Sequence, residues 1–79
     1  MKKFKLYGTS ACHLCGLAQG MIANQQLSMA RFDVEVVDIS ESDALFERYG
    51  VTIPVLQHPD NRELNWPFCT QQLRDFLAS

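Results

Sequence analysis

Cys12 and Cys15 stand two residues apart, at the point where one residue periodicity ends and another begins. Before them runs Phe4-Lys5-Leu6-Tyr7, a short strand-like stretch. By period two, Phe4 and Leu6 point one way and Lys5 and Tyr7 the other. After them Leu14, Leu17, Ala18, Met21 and Ile22 recur at three- and four-residue steps, with Met29 continuing the series. That spacing predicts a helix from residue 13 to about 28, with these residues on its apolar face. Gly8-Thr9-Ser10-Ala11 has turn composition and separates the two. The pair is therefore expected where a strand ends and a helix starts. The first turn of a helix carries unpaired N–H groups and partial positive charge, and both stabilise a thiolate. With Cys12 near the N-cap and Cys15 near the third helical position, the sulfurs meet across one turn. Such a pair is a dithiol/disulfide switch.

Two other readings of the pair compete with this one. Cysteines at this spacing also start zinc sites, which need further ligands. Only His13, His58 and Cys69 are available. His13 shares the turn with the cysteines, His58 precedes Pro59 in an expected turn, and Cys69 stands alone. Inert, buried cysteines are the third reading. Both thiols of a complete exchange cycle are present, and this favours the redox reading.

At 79 residues the chain is read as a single domain, 1–79. A core of this size buries only about 60% of the surface of the unfolded chain. Stability is expected near the low end of the usual range, roughly 5 kcal/mol. The net charge of −2 gives no electrostatic reason for a nucleic-acid partner. No stretch reaches the length of a membrane span. Met1-Lys2-Lys3 is basic, but Lys5 interrupts the next segment and no long apolar core appears. The expected location is the cytoplasm, with the chain a monomer. In a reducing compartment, a close cysteine pair points to catalysis or metal binding rather than to a structural staple.

Further along, residues 33–38 read as a strand covered on both faces, with Val34 and Val36 inward and Val37 and Ile39 on the opposite side. Gly16 and Gly20 weaken the first helix, and close approach to a neighbouring element would explain them. Ser40, three residues before Asp43, carries capping chemistry for a helix over 43–49, with Leu45, Phe46 and Tyr49 buried. Gly50 suits its end. Pro54 starts a strand without breaking it. A turn at residues 59–61 leads to a second strand over 62–65. Trp66-Pro67-Phe68 forms a rigid aromatic corner. Thr70 is the expected N-cap of a last helix over 71–78, whose apolar face is Leu73, Phe76 and Leu77. The order is β-α-β-α-β-β-α, an α/β fold with a four-stranded mixed sheet flanked by helices.

Tyr7-Gly8-Thr9-Ser10-Ala11-Cys12-His13-Leu14-Cys15, Val51-Thr52-Ile53-Pro54 and Phe68-Cys69-Thr70, in this element order, resemble the small glutaredoxin-like proteins of the thioredoxin superfamily. The resemblance covers nearly the whole chain. It implies a thioredoxin-like fold and a thiol–disulfide oxidoreductase that reduces protein or glutathione mixed disulfides through a Cys12/Cys15 dithiol. Cys12, at the helix start and on the loop side, is expected to be the more exposed and to attack, and Cys15, one turn in, to be buried and to resolve. The resemblance implies that Ile53–Pro54 is cis. The Thr52-Ile53 backbone would then face the disulfide and pair with an extended substrate. No tightly bound cofactor is implied, and glutathione is the candidate co-substrate. Tyr7, Trp66, Cys69 and Thr70 are candidate supporting residues, and Tyr7 would cover the disulfide or serve as an ordinary strand aromatic. His13 would stabilise the Cys12 thiolate or simply start the helix. Cys69 would be a semi-exposed target of glutathione or a buried or inert thiol. The chain departs from ordinary glutaredoxins in having His13-Leu14 between the cysteines and Trp66-Pro67-Phe68 where a glycine pair is usual. Two rival functions remain beside the enzyme: a redox-inactive binding module that uses the aromatic corner, and a carrier of metal or an iron–sulfur cluster on Cys12 and Cys15.

Overall fold

Phe4, Leu6, Val34, Val36, Leu56 and Leu64 share one face of the sheet by register, while Tyr7, Val37 and Val55 share the other. This two-sided apolar pattern requires a cover on each face. In the computed structural model, which describes residues 2–28 and 32–79, helices supply both covers. The strands are β1 (Lys2–Gly8), β2 (Phe32–Asp38), β3 (Val55–Gln57) and β4 (Glu63–Asn65). The helices are α1 (His13–Ser28), α2 (Asp43–Tyr49) and α3 (Thr70–Ala78). The sheet order is β2-β1-β3-β4, with β1 parallel to β2 and antiparallel to β3, and β3 antiparallel to β4. This is the expected β-α-β-α-β-β-α thioredoxin-like architecture. Met29 lies outside the described residues.

Ala18 and Ile22 of α1 and Leu73 and Leu77 of α3 pack on Phe4, Leu6, Phe32, Leu56 and Phe68. On the opposite face, Tyr49 of α2 packs with Tyr7, Ile39 and Val55. The chain therefore builds two small cores, one on each side of the sheet.

Several local expectations change. The buried side of α1 is Cys15, Ala18, Ile22 and Gln25, and Leu14 and Leu17 are exposed. Cys15, Ala18, Ile22 and Gln25 are also spaced by three and four, and the small side chains at 15 and 18 let the helix sit close to the sheet. Gly16 and Gly20 approach nothing: a β-carbon on either would meet no atom within 4 Å. β2 is an edge strand, and its Val36 is 56% exposed instead of buried. Asp38 caps a short 3-10 turn at Ile39–Glu41, so Ser40 is inside that turn and Ser42 is the N-cap of α2. Phe46 of α2 faces outward, leaving Tyr49 as its buried anchor. Gly50 is right-handed at φ −54°, so no left-handed turn requires it. A β-carbon there would lie 2.5 Å from the Phe46 carbonyl oxygen, and that closeness is what calls for glycine. Asn61, at φ 77°, turns the hairpin between β3 and β4.

Cys69, not Thr70, is the N-cap of α3. Its sulfur accepts from the Gln72 N–H, and its own N–H donates to Gln72 Oε1 at 2.9 Å. Two otherwise unpaired helix-end donors are satisfied reciprocally. Cys69 is free and exposed, so the buried alternative does not hold. His58 is buried in spite of its place beside a turn. Its ring packs edge-on against Phe4 and Phe76, and its Nδ1 accepts from the Asp60 N–H. That leaves Nε2 to donate to the Ser79 carbonyl at 2.8 Å.

Candidate redox site

β1 ends at Gly8, and α1 begins at His13. Between them the chain turns back on itself, with the Cys12 N–H donating to the Thr9 carbonyl at 3.3 Å. Cys12 directly precedes α1, and Cys15 is its third residue. The two are joined as a disulfide, with their α-carbons 5.2 Å apart.

The two sulfurs have different surroundings. Cys12 is half-buried, whereas Cys15 is only 3% exposed. The Cys15 N–H donates to Cys12 Sγ at 3.1 Å, so the sulfur of Cys12 occupies the place of a helix-capping oxygen. The same bond stabilises a thiolate there once the pair is reduced. No acidic residue lies in the first turn of α1, and residues 6–30 contain no Asp, Glu, Lys or Arg. The positive end of the helix dipole therefore acts on Cys12 with no carboxylate in that first turn to oppose it.

Gly8 sets the depth of Cys15. A β-carbon at position 8 would lie 2.7 Å from Cys15 Sγ and 3.2 Å from Cys15 Cβ. The inner sulfur thus rests directly on the backbone of β1. Sequence reasoning missed this contact. The available signal was a residue without a side chain at the end of the strand, four positions before Cys12.

The remaining candidate residues lie around this pair or away from it. His13 and Leu14 are exposed on the first turn of α1. Tyr7 is buried on the α2 side, stacked on Tyr49 with ring centroids 4.4 Å apart, and its hydroxyl donates to Gln57 Oε1 at 2.8 Å. The strand-aromatic alternative describes it. The Ile53–Pro54 bond is cis, and Pro54 is fully buried. Val55 pairs with Tyr7, so the loop before it lies beside the end of β1 that leads into the cysteines. The N–H groups of Thr52 and Ile53 both donate to the Tyr49 carbonyl, at 2.9 and 3.1 Å. Both donors are thus taken up within the loop, and strand-like pairing with an extended chain there would have to use the Thr52 and Ile53 carbonyls. Trp66–Pro67 is a second cis bond, which the sequence did not suggest. Trp66 is half-buried, and it meets Phe68 edge-on at 5.1 Å. Phe68 is buried in the main core, and Trp66 packs against that core.

Tyr49 is the most shifted group nearby. Its hydroxyl donates to Glu63 Oε2, and Arg48 also lies against that carboxylate at 3.6 Å. Burial, followed by the bond to Glu63 and its charge, pushes the Tyr49 pKa up to about 12. Asp38 shifts the other way. Hydrogen bonds from the Ser40 hydroxyl and Ser40 N–H hold its carboxyl below the ordinary value. Among the described residues, no cluster of three or more His, Cys, Asp or Glu side chains is placed to hold a metal ion.

The Glutaredoxin-like domain (DUF836) family matches residues 3–78. The crystal structure of the structural-genomics target XcR50 from X. campestris is similar at 39% identity, covering 95% of each chain, with a TM-score of 0.79. The solution structure of Ne2328 from Nitrosomonas europaea is similar at 25% identity, covering 98% of this chain and 87% of that one, with a TM-score of 0.77. A malarial protein shares the fold at 13% identity, covering 99% and 94%, with a TM-score of 0.73. No curated protein matches the chain. With a disulfide-forming pair at the head of α1 and a family match over nearly its full length, the chain belongs to the glutaredoxin-like domain family.

Proposed function

We propose that the protein is a thiol–disulfide oxidoreductase of the cytoplasm that reduces protein or glutathione mixed disulfides through the Cys12/Cys15 dithiol. The observation that carries this reading is the asymmetry of the pair. Cys12 is reachable and receives the Cys15 N–H at the helix start, whereas Cys15 is sealed against Gly8. Accessibility and thiolate stabilisation both favour Cys12 as the attacking group.

In the cycle, the Cys12 thiolate attacks one sulfur of the substrate disulfide. A Cys12–substrate disulfide forms, and the other substrate sulfur leaves as a thiolate that takes up a proton. Cys15 then loses its proton and attacks Cys12 Sγ. This forms the Cys12–Cys15 disulfide and expels the second substrate thiolate. The substrate gains two electrons and the protein loses two. Two molecules of glutathione, or another dithiol, restore the reduced pair and are themselves oxidised to a disulfide.

The test is to trap the intermediate. Cys15→Ser, in a background where Cys69 is also serine, is expected to accumulate a mixed disulfide on Cys12 when mixed with glutathione disulfide, read by intact mass. Cys12→Ser with Cys15 intact is expected to form adducts far more slowly. Faster adduct formation at Cys15 than at Cys12 would reverse the roles.

A further inference from the structure

α1 does not cover the sheet as far as the β2 edge, and a groove runs between the helix and that strand. At one end is a cavity of about 250 Å³, lined by Leu6, Gly8, Cys15, Gln19, Val36 and Asp38 among others. It continues into a hollow of about 170 Å³ that shares Leu6, Gln19 and Val36 and adds Ile22, Gln26 and Val34. Cys12 lines neither, so an occupant leaves the attacking sulfur clear.

The lining is chemically selective. The surface of the cavity beside Asp38 is mainly apolar, Gln19 and Gln26 make that of the second hollow more polar, and Val36 is left 56% exposed. Among the described residues, Asp38 is the only charged one lining either hollow. Its Oδ1 accepts both bonds from Ser40, and Oδ2 takes part in neither. No cation among the described residues pairs with this carboxylate. An occupant that satisfies both parts is aliphatic over several carbons and positively charged at its end. Lysine and arginine side chains have that form, since their stems lie on apolar surface while their charge seeks a carboxylate. Glutathione, a net anion, does not. The position also suits a polypeptide, because β2 is an edge strand and, among the described residues, has no strand on its outer side.

We propose that this groove receives a lysine or arginine side chain of a partner polypeptide, with its stem on Leu6 and Val36 and its charge on Asp38. The inference rests on the groove alone and does not require the redox reading.

The test uses the full chain, 15N-labelled and kept oxidised throughout, titrated with acetyl-Val-Arg-Val-amide. Its neutral isostere, with citrulline in place of arginine, serves as the comparison. Amide shifts are expected at Gly8, Gln19, Val36 and Asp38, with the arginine peptide binding up to about fivefold more tightly, as a rim ion pair allows. Asp38→Asn retains an acceptor for Ser40 and is expected to abolish the difference between the peptides. Val36→Ser, at an exposed position, is expected to weaken both. Equal binding of the two peptides by the parent protein, shifts confined to another surface, or no shift at millimolar peptide would each overturn the proposal. Because the pair stays oxidised, failure here would leave the proposed exchange chemistry untouched.

Discussion

A methyl group at position 8 would land 2.7 Å from the Cys15 sulfur, and the disulfide denies that sulfur room to swing away. Gly8→Ala is therefore expected to shift the inner cysteine and to destabilise the oxidised protein by about 1–3 kcal/mol, the usual range for overpacking a filled site. Urea denaturation of the oxidised and reduced forms checks this, with the larger loss expected in the oxidised form. An equal loss in both would separate Gly8 from the redox pair. At Cys69 the expectation is milder. Its sulfur caps α3 at the long distance of 3.5 Å, and a serine oxygen is a better capping acceptor. Cys69→Ser should hold or raise the melting temperature, and Cys69→Ala should lower stability by up to about 1 kcal/mol. The sequence made the two cysteines at the head of α1 easy to find, because their spacing and strand–helix setting are local. It concealed the roles of Gly8 and Cys69, because each depends on an atom placed by folding: a sulfur lying on the strand, and a glutamine returning to the cap.

α2 has one buried aromatic anchor, and that anchor is tied to the hairpin. Tyr49 stacks on Tyr7, and its hydroxyl donates to Glu63 at the start of β4. The neutral phenol is favoured in the folded protein, whose Tyr49 pKa is pushed up to about 12, above the ordinary value near 10. The raised folded value fixes the sign. This contribution is fully present below about pH 10 and is lost as pH rises from there toward 12. Parent and Tyr49→Phe should therefore converge in stability across that interval, as measured by denaturation at successive alkaline pH values. A constant difference would show that the phenol does not titrate between the two states as described. At this scale the number, type and order of elements were legible from periodicity and turn residues. The faces were less so. On α1 the leucines at 14 and 17 face solvent, while Cys15, Ala18, Ile22 and Gln25 face the sheet. Composition favours the larger side chains, whereas close packing against the strands favours the smaller ones.

Across the molecule, a sheet ordered β2-β1-β3-β4 places the β1–α1 turn and the Pro54 loop at neighbouring strand ends. Strand order was not readable from the sequence, since no single element specifies which of two edges it will join. The exposure of Val36 results from that order, and with it the open groove. Leu73 is fully buried in the core on the α1 and α3 side, and Leu73→Ala is expected to cost about 2–5 kcal/mol. Against a total of roughly 5 kcal/mol for a chain of this size, that change should leave a large unfolded fraction in a room-temperature denaturation curve. Folding and exchange chemistry meet in the Cys12–Cys15 bond, and its equilibrium is the most direct test. Protein carrying Cys69→Ser is equilibrated with graded mixtures of reduced and oxidised glutathione, then alkylated and weighed. One two-electron transition between dithiol and intramolecular disulfide is expected, with a midpoint in the range of about −200 to −300 mV typical of cytosolic exchange couples. A pair that remains dithiol under fully oxidising glutathione, or that only carries separate glutathione adducts without closing on itself, would contradict it.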